Sequence, residues 1–186
     1  MFSRSRHHPA PQRRLFLKGL ASLPLALPFA SAQAGDMLHL SFRHTHTDER
    51  LSTAFRNRRG YIEPAIKRMN WLFRDFRTGE VAHMDPRLYD ILHALSVSCG
   101  GETFEIISGY RSPKTNSMLR KTGGGVAKRS LHMDGKAIDI RLVGCDTARV
   151  RDAAIALGAG GVGYYPESDF VHIDTGPVRH WGPKSA

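Results

Sequence analysis

The residues best suited to chemistry stand in Ser130-Leu-His-Met-Asp-Gly-Lys-Ala-Ile-Asp-Ile140, where His132 and Asp139 flank a glycine. If Ala137 to Leu142 is a strand, alternation turns Ile138, Ile140 and Leu142 to a core and Asp139 away from it, with Ala137 and Arg141. A reversal at Gly135 would bring the His132 imidazole back towards the Asp139 carboxylate. A second pair follows in Phe170-Val-His-Ile-Asp174, where His172 and Asp174 share one face. Pairing the two strands would set Asp139 beside His172 and complete a His, Asp, His set. Such a set suits zinc, with a fourth position left for water. Taken one at a time, each residue has a plainer use: His132 capping a turn, Asp139 pairing an arginine, His172 an ordinary strand histidine.

The joint pattern is more specific. Ser130-x-His132-x-x-Gly135-x-Ala137-x-Asp139 followed by Val171-His172-x-Asp174 resembles the zinc D-Ala-D-Ala peptidases of the LAS superfamily. The resemblance extends to Ile107-Ser-Gly-Tyr-Arg-Ser112, Gly160-Gly-Val-Gly-Tyr-Tyr-Pro166 and His172-Ile-Asp-Thr-Gly-Pro-Val-Arg-His-Trp181. The last two are similar to the exported murein endopeptidases of that superfamily, from about Leu38 to Trp181.

The resemblance implies a zinc endopeptidase that cuts peptidoglycan cross-links, the D-Ala to meso-diaminopimelate bond first and also bonds between two diaminopimelates. A D-Ala carboxypeptidase and a non-catalytic zinc-containing wall-binding module are the rival readings. Zinc would sit on His132, Asp139 and His172. Arg111 would hold the substrate and the developing oxyanion, a task suited to a planar, permanent cation. Carboxypeptidase relatives carry a glutamate three residues before the last zinc histidine. Asp169 holds that position here, one methylene shorter, and is one candidate base. His180 is the other, because an imidazole titrates near neutrality. Asp174 would orient His172.

Elements must be found to position these groups. Leu38, Leu40 and Phe42, then Leu51, Thr53 and Phe55, predict a hairpin about a polar connection in which His44 and His46 are solvent-exposed turn residues. Apolar residues at three- and four-residue steps from Ile62 to Arg77 predict a helix. A second starts at Asp85 and Pro86, buries Leu88, Ile91, Leu92 and Leu95, and stops at Gly100. Thr103 to Ser108 reads as a strand delivering Arg111, Asn116 to Lys121 as a short helix, and Thr122 to Val126 as a loop whose spacing is not that of a nucleotide cradle. Asp146 caps a further helix burying Val150, Ala153, Ala154 and Leu157. Gly160 to Tyr165 and Asp169 to Asp174 read as paired strands. The fold expected is α+β, a small antiparallel sheet with helices on one side and an open zinc cleft on the other, as in hedgehog and D-Ala-D-Ala peptidase-like domains.

The chain has 186 residues, enough for one such domain, and a net charge of +10. Five of those charges, Arg4, Arg6, Arg13, Arg14 and Lys18, lie in an acid-free leader; removing them leaves +5, which speaks against a nucleic-acid partner. Residues 1–34 read as a signal peptide, with Gln12-Arg-Arg-Leu-Phe-Leu-Lys18 similar to a twin-arginine signal and cleavage after Ala32 or Ala34. Residues 35–186 are then a periplasmic catalytic domain. It meets the twin-arginine translocase during export, keeps no stable membrane anchor and acts as a monomer on cross-linked peptides. Cys99 and Cys145 fit a disulfide or two buried thiols equally well.

Overall fold

Alternating apolar residues build one sheet, and the apolar side of that sheet collects the helices. The structure, a computed structural model, describes residues 37–123 and 126–183. The expected leader lies outside them. The strands are β1 (Leu38–His44), β2 (Arg50–Asn57), β3 (Gly60–Tyr61), β4 (Thr103–Ser108), β5 (Ala137–Leu142), β6 (Gly161–Tyr165), β7 (Phe170–Asp174) and β8 (Arg179–Trp181). They form one sheet in the order β3-β2-β1-β4-β5-β7-β6-β8. The centre, β4-β5-β7-β6, is antiparallel, whereas β1 joins β4 and β6 joins β8 in parallel. The sheet is thus larger than alternation alone suggests, because β3 and β8 are too short to show a period.

Helices α1 (Glu63–Leu72), α2 (Arg87–Cys99) and α4 (Thr147–Leu157) cover one face, and α3 (Pro113–Thr122) follows the turn that carries Arg111; α2 packs on β1, β5 and α4, and α4 on β5, β6 and β7. Phe42, Phe55, Phe73, Leu88, Leu92, Phe104, Ile138, Ile140, Val150 and Val171 are buried between the layers. The Asp85 carboxylate accepts from the Arg87 N–H, and Asp146 accepts from the Ala148 N–H at the start of α4. Asp146 is the N-cap the sequence predicts, whereas α2 has Pro86 at its N-cap and Asp85 stands one residue before it. Leu157, expected in the core, is exposed in the last turn of α4.

Two differences bear on the site. The first helix ends at Leu72, not Arg77. Beyond it the Phe73 carbonyl accepts from the Tyr110 N–H, and the buried Asp75 carboxylate accepts from the Ser112 N–H, so this segment buttresses the turn carrying Arg111. His44 is also not an exposed turn residue. It closes β1, is 1% exposed, and lies edge-on to Phe76, on which His46 stacks at 4.2 Å. Burial is the main reason its pKa falls to about 4. Cys99 and Cys145 are both free, and burial, followed by a hydrogen bond with Cys145, pushes the Cys99 thiol up to about 11.

Candidate metal centre and cleft

Three elements deliver the three ligand candidates. A 3₁₀ turn, Leu131–Asp134, carries His132 and ends at Gly135, whose φ of 65° lets the chain reverse into β5. A Cβ on Gly135 would meet the His83 carbonyl oxygen at 2.3 Å, so glycine is required on two counts. Asp139 and His172 are directly opposed on β5 and β7. Their neighbours Ile138 and Ile173 face the core, so both functional side chains stand on the other face. All three are buried, His132 and Asp139 almost completely.

The ligand atoms converge within 4.8 Å of one another. Asp139 Oδ1 lies 3.1 Å from His132 Nε2 and 2.8 Å from His172 Nδ1, and those nitrogens are 3.2 Å apart. The outer nitrogens decide what this means. His132 Nδ1 lies 2.7 Å from the Gly109 carbonyl oxygen, which only accepts, and His172 Nε2 lies 3.1 Å from Asp174 Oδ2, likewise an acceptor. With a cation at the inner nitrogens, each outer nitrogen carries the proton of a neutral ring. Two imidazole lone pairs and a carboxylate oxygen are then left facing one point. That arrangement is repulsive unless a cation occupies it, and an N, N, O donor set with oriented imidazoles fits zinc.

The electrostatics agree. Burial raises the Asp139 pKa, but the two imidazoles outweigh it and hold the carboxyl well below the usual range. Burial lowers the pKa of His132. At His172 burial pulls the same way, yet the hydrogen bonds to Asp139 and Asp174 prevail and raise it. The centre is built to hold positive charge.

The surrounding cleft is about 390 Å³ and is lined by Arg111, Ser130, Tyr165, Ser168, Phe170 and Trp181 together with the three converging residues. Arg111 donates to Ser108 Oγ at 2.8 Å and to Asp139 Oδ2, so it fixes the carboxylate as well as facing the cleft. Tyr165 stacks on Phe170 at 4.6 Å and accepts from Trp181 Nε1 at 2.9 Å; the Trp181 ring lies 5.2 Å from His172. These aromatics stand within the sequence motifs, which assign them no task. Tyr165 ends a strand that shows a period of two, whereas Trp181 lies in a strand too short to show one.

The two candidate bases are placed differently. Asp169 sits in the β6–β7 turn at φ 50°, between the cleft residues Ser168 and Phe170. Its carboxylate accepts from Thr147 Oγ1 at 3.0 Å and pairs with Arg141 Nε at 3.1 Å, outside the cleft lining. Arg141 is two residues from Asp139 on the same side of β5. His180 pairs with Val162 across the β6–β8 ladder, and alternation turns its side chain to the side opposite Trp181.

Comparison with known proteins follows the same lines. Residues 32–181 match the family described as peptidoglycan L,D-endopeptidase MepK. The peptidoglycan L,D-endopeptidase MepK of Escherichia coli strain K12 is 41% identical over 177 residues, covering 92% of this chain and 97% of that protein. The probable peptidoglycan L,D-endopeptidase MepK of Haemophilus influenzae is 45% identical over 144 residues, covering 76% of this chain and 77% of its own length.

Proposed function

This chain belongs to the peptidoglycan L,D-endopeptidase MepK family, a zinc metallopeptidase acting on peptidoglycan cross-links, and from that premise we propose the bond it cuts and the residues that cut it. The observation that carries the proposal is the convergence of His132 Nε2, His172 Nδ1 and Asp139 Oδ1, each with its proton held elsewhere or absent. These three would hold the zinc. When bound, zinc supplies Lewis acidity towards the scissile carbonyl and towards water.

The remaining work falls to the chain. Arg111, anchored by Ser108 and Asp139, presents its other N–H groups to the carbonyl oxygen as negative charge develops there. The Tyr165, Phe170 and Trp181 wall packs against the aliphatic part of the cross-link and excludes water from one side. Asp169 accepts the proton of the attacking water after exchanging Arg141 for the cleft, and returns it to the amine nitrogen as the C–N bond breaks. It is preferred over His180 because Ser168 and Phe170 on either side of it line the cleft.

The bond follows from stereochemistry. A link between two meso-diaminopimelates joins an L acyl centre to a D amine centre, whereas D-Ala to diaminopimelate joins two D centres. The L,D designation of the relatives therefore favours the diaminopimelate–diaminopimelate link as the better substrate. Residues 1–34 are removed on export by the twin-arginine route, and the domain of residues 35–186 acts in the periplasm as a monomer. No helix among the described residues is long and apolar enough to cross a membrane.

Purified muropeptide dimers of each linkage, incubated with the zinc-loaded protein and resolved by mass, test the reading. Conversion of diaminopimelate-linked dimers to monomers is expected, faster than for D-Ala-linked dimers. Loss of a single alanine from monomers would move the protein to the carboxypeptidases, and binding without turnover would make it a recognition module.

A further inference from the structure

β6 presents two glycines, Gly161 and Gly163, on the side of the sheet that carries the metal centre. Both are occupied from above by the neighbouring strand. A Cβ on Gly161 would meet Asp174 Oδ2 at 2.4 Å and Arg179 Nη1 at 2.5 Å; one on Gly163 would meet the Trp181 ring at 2.6 Å. The missing side chains form a trough across β6. Through it Arg179 and Trp181 of β8 reach over one strand to Asp174 and His172 of β7.

Asp174 is held by everything around it. Its Oδ1 accepts from the N–H groups of Gly161 at 3.1 Å and Gly176 at 2.9 Å and from Arg179 Nη1 at 3.1 Å. Its Oδ2 accepts from Arg179 Nη2 at 2.7 Å and stands 3.1 Å from His172 Nε2. The carboxylate is fully buried and the guanidinium grips both oxygens in a fork, which lysine cannot reproduce. Arg179 also lies over the Trp181 ring at 5.0 Å, and Trp181 is tied to Tyr165.

We infer that Arg179 is a positioning residue for the metal centre: by fixing the Asp174 carboxylate across the glycine trough it holds His172 in the tautomer protonated at Nε2, leaving Nδ1 free for zinc. This rests on the reading of His172 as a ligand. It adds that the three-residue edge strand β8 belongs to the centre although it supplies none of the three converging ligand candidates. Without the fork, Asp174 is free to rotate between its two backbone donors and His172, and the imidazole is held less firmly. Second-layer partners of metal-bound histidines typically contribute about 10–100-fold to metal affinity or activity.

The test is zinc affinity, measured by competition with a chromophoric chelator, in the full mature chain and in Arg179→Ala, Arg179→Lys and Asp174→Asn. The expected result is about 10-fold or greater weakening in Arg179→Ala, partial recovery in Arg179→Lys and the largest loss in Asp174→Asn, with an unchanged far-ultraviolet circular dichroism spectrum in each. The ¹⁵N shifts of the His172 ring in the zinc-free protein, recorded at alkaline pH where the ring is neutral, should report mainly the Nε2–H tautomer in the parent and a shift towards the Nδ1–H tautomer in Arg179→Ala. Unchanged zinc affinity and an unchanged His172 ring in folded Arg179→Ala overturn the inference, leaving Arg179 a surface partner of Trp181. A parent chain that binds zinc tightly but cuts no cross-link would defeat the peptidase mechanism and leave this inference standing, because affinity is read without turnover.

Discussion

Gly135 couples backbone conformation to the metal centre, and replacing it by alanine has a magnitude that can be worked out in advance. At φ 65° an L residue occupies the left-handed region at a cost of roughly 1–2 kcal/mol. The new methyl would also sit 2.3 Å from the His83 carbonyl oxygen, a backbone atom that cannot rotate away, and overpacking of that kind costs typically about 1–3 kcal/mol. The sum is about 3 kcal/mol. Gly144 supplies the control: its φ is 81°, but nothing lies within 4 Å of its Cβ position, so Gly144→Ala carries the conformational cost alone. In a domain of this size each kcal/mol lowers Tm by roughly 2–4 °C. Thermal unfolding followed by circular dichroism should place Gly135→Ala about 9 °C below the parent and Gly144→Ala about 3 °C below it. Because the Asp85 N–H donates to the Gly135 carbonyl and the Gly135 N–H donates back to His132, the same variant should bind zinc more weakly. Equal melting of the two variants would refute the clash argument and the close approach on which it rests.

Three further outcomes follow from the same geometry. Asp169→Ala should lower kcat by about 100-fold or more, the usual loss of a general base, while His180→Ala should leave it nearly unchanged; full activity in both removes both candidates. Zinc at 100 times its Kd should stabilise the folded chain by about 2.7 kcal/mol, seen as a raised Tm that a chelator reverses, and a Tm indifferent to zinc would contradict a preformed centre. His44 has a folded pKa of about 4 against 6.5, so the unfolded chain takes up its proton first as the pH falls. That stability is full above about pH 6.5 and lost by about pH 4, up to about 3 kcal/mol, in a setting that His46, Glu49 and Arg74 also influence. Chemical denaturation across this range should show the slope in the parent and a flatter profile in His44→Phe.

How far the site could be read from the sequence depended on whether a residue's task is local or shared between strands. The alternation of Ala137 to Leu142 and of Phe170 to Asp174 fixes which side chains leave the core, and one pairing then brings Asp139 and His172 together, as observed. The glycine reversal that returns His132 is local too, and it was legible. What β8 does was not, because three exposed residues carry no period and Arg179 acts only by reaching across β6. The available signal was Gly161 and Gly163 at a spacing of two, a strand side without side chains, which some other element must fill. His44 misled because a polar His-Thr-His-Thr run reads as a turn, while its burial comes from Phe76, more than thirty positions away in the chain. Asp169 lies at the position its spacing predicts, but its carboxylate is taken by Arg141 and Thr147, partners that spacing does not reveal.

The most direct test of the central claim, that His132, Asp139 and His172 form one zinc centre on which cross-link cleavage depends, is a reconstitution titration. Metal-free mature protein would be titrated with zinc while bound metal and the rate of muropeptide dimer cleavage are followed together. Activity should rise in step with binding to one equivalent in the parent chain, and Asp139→Ala should neither bind at that concentration nor turn over. Cleavage by the metal-free protein, or full activity in Asp139→Ala, would contradict the account.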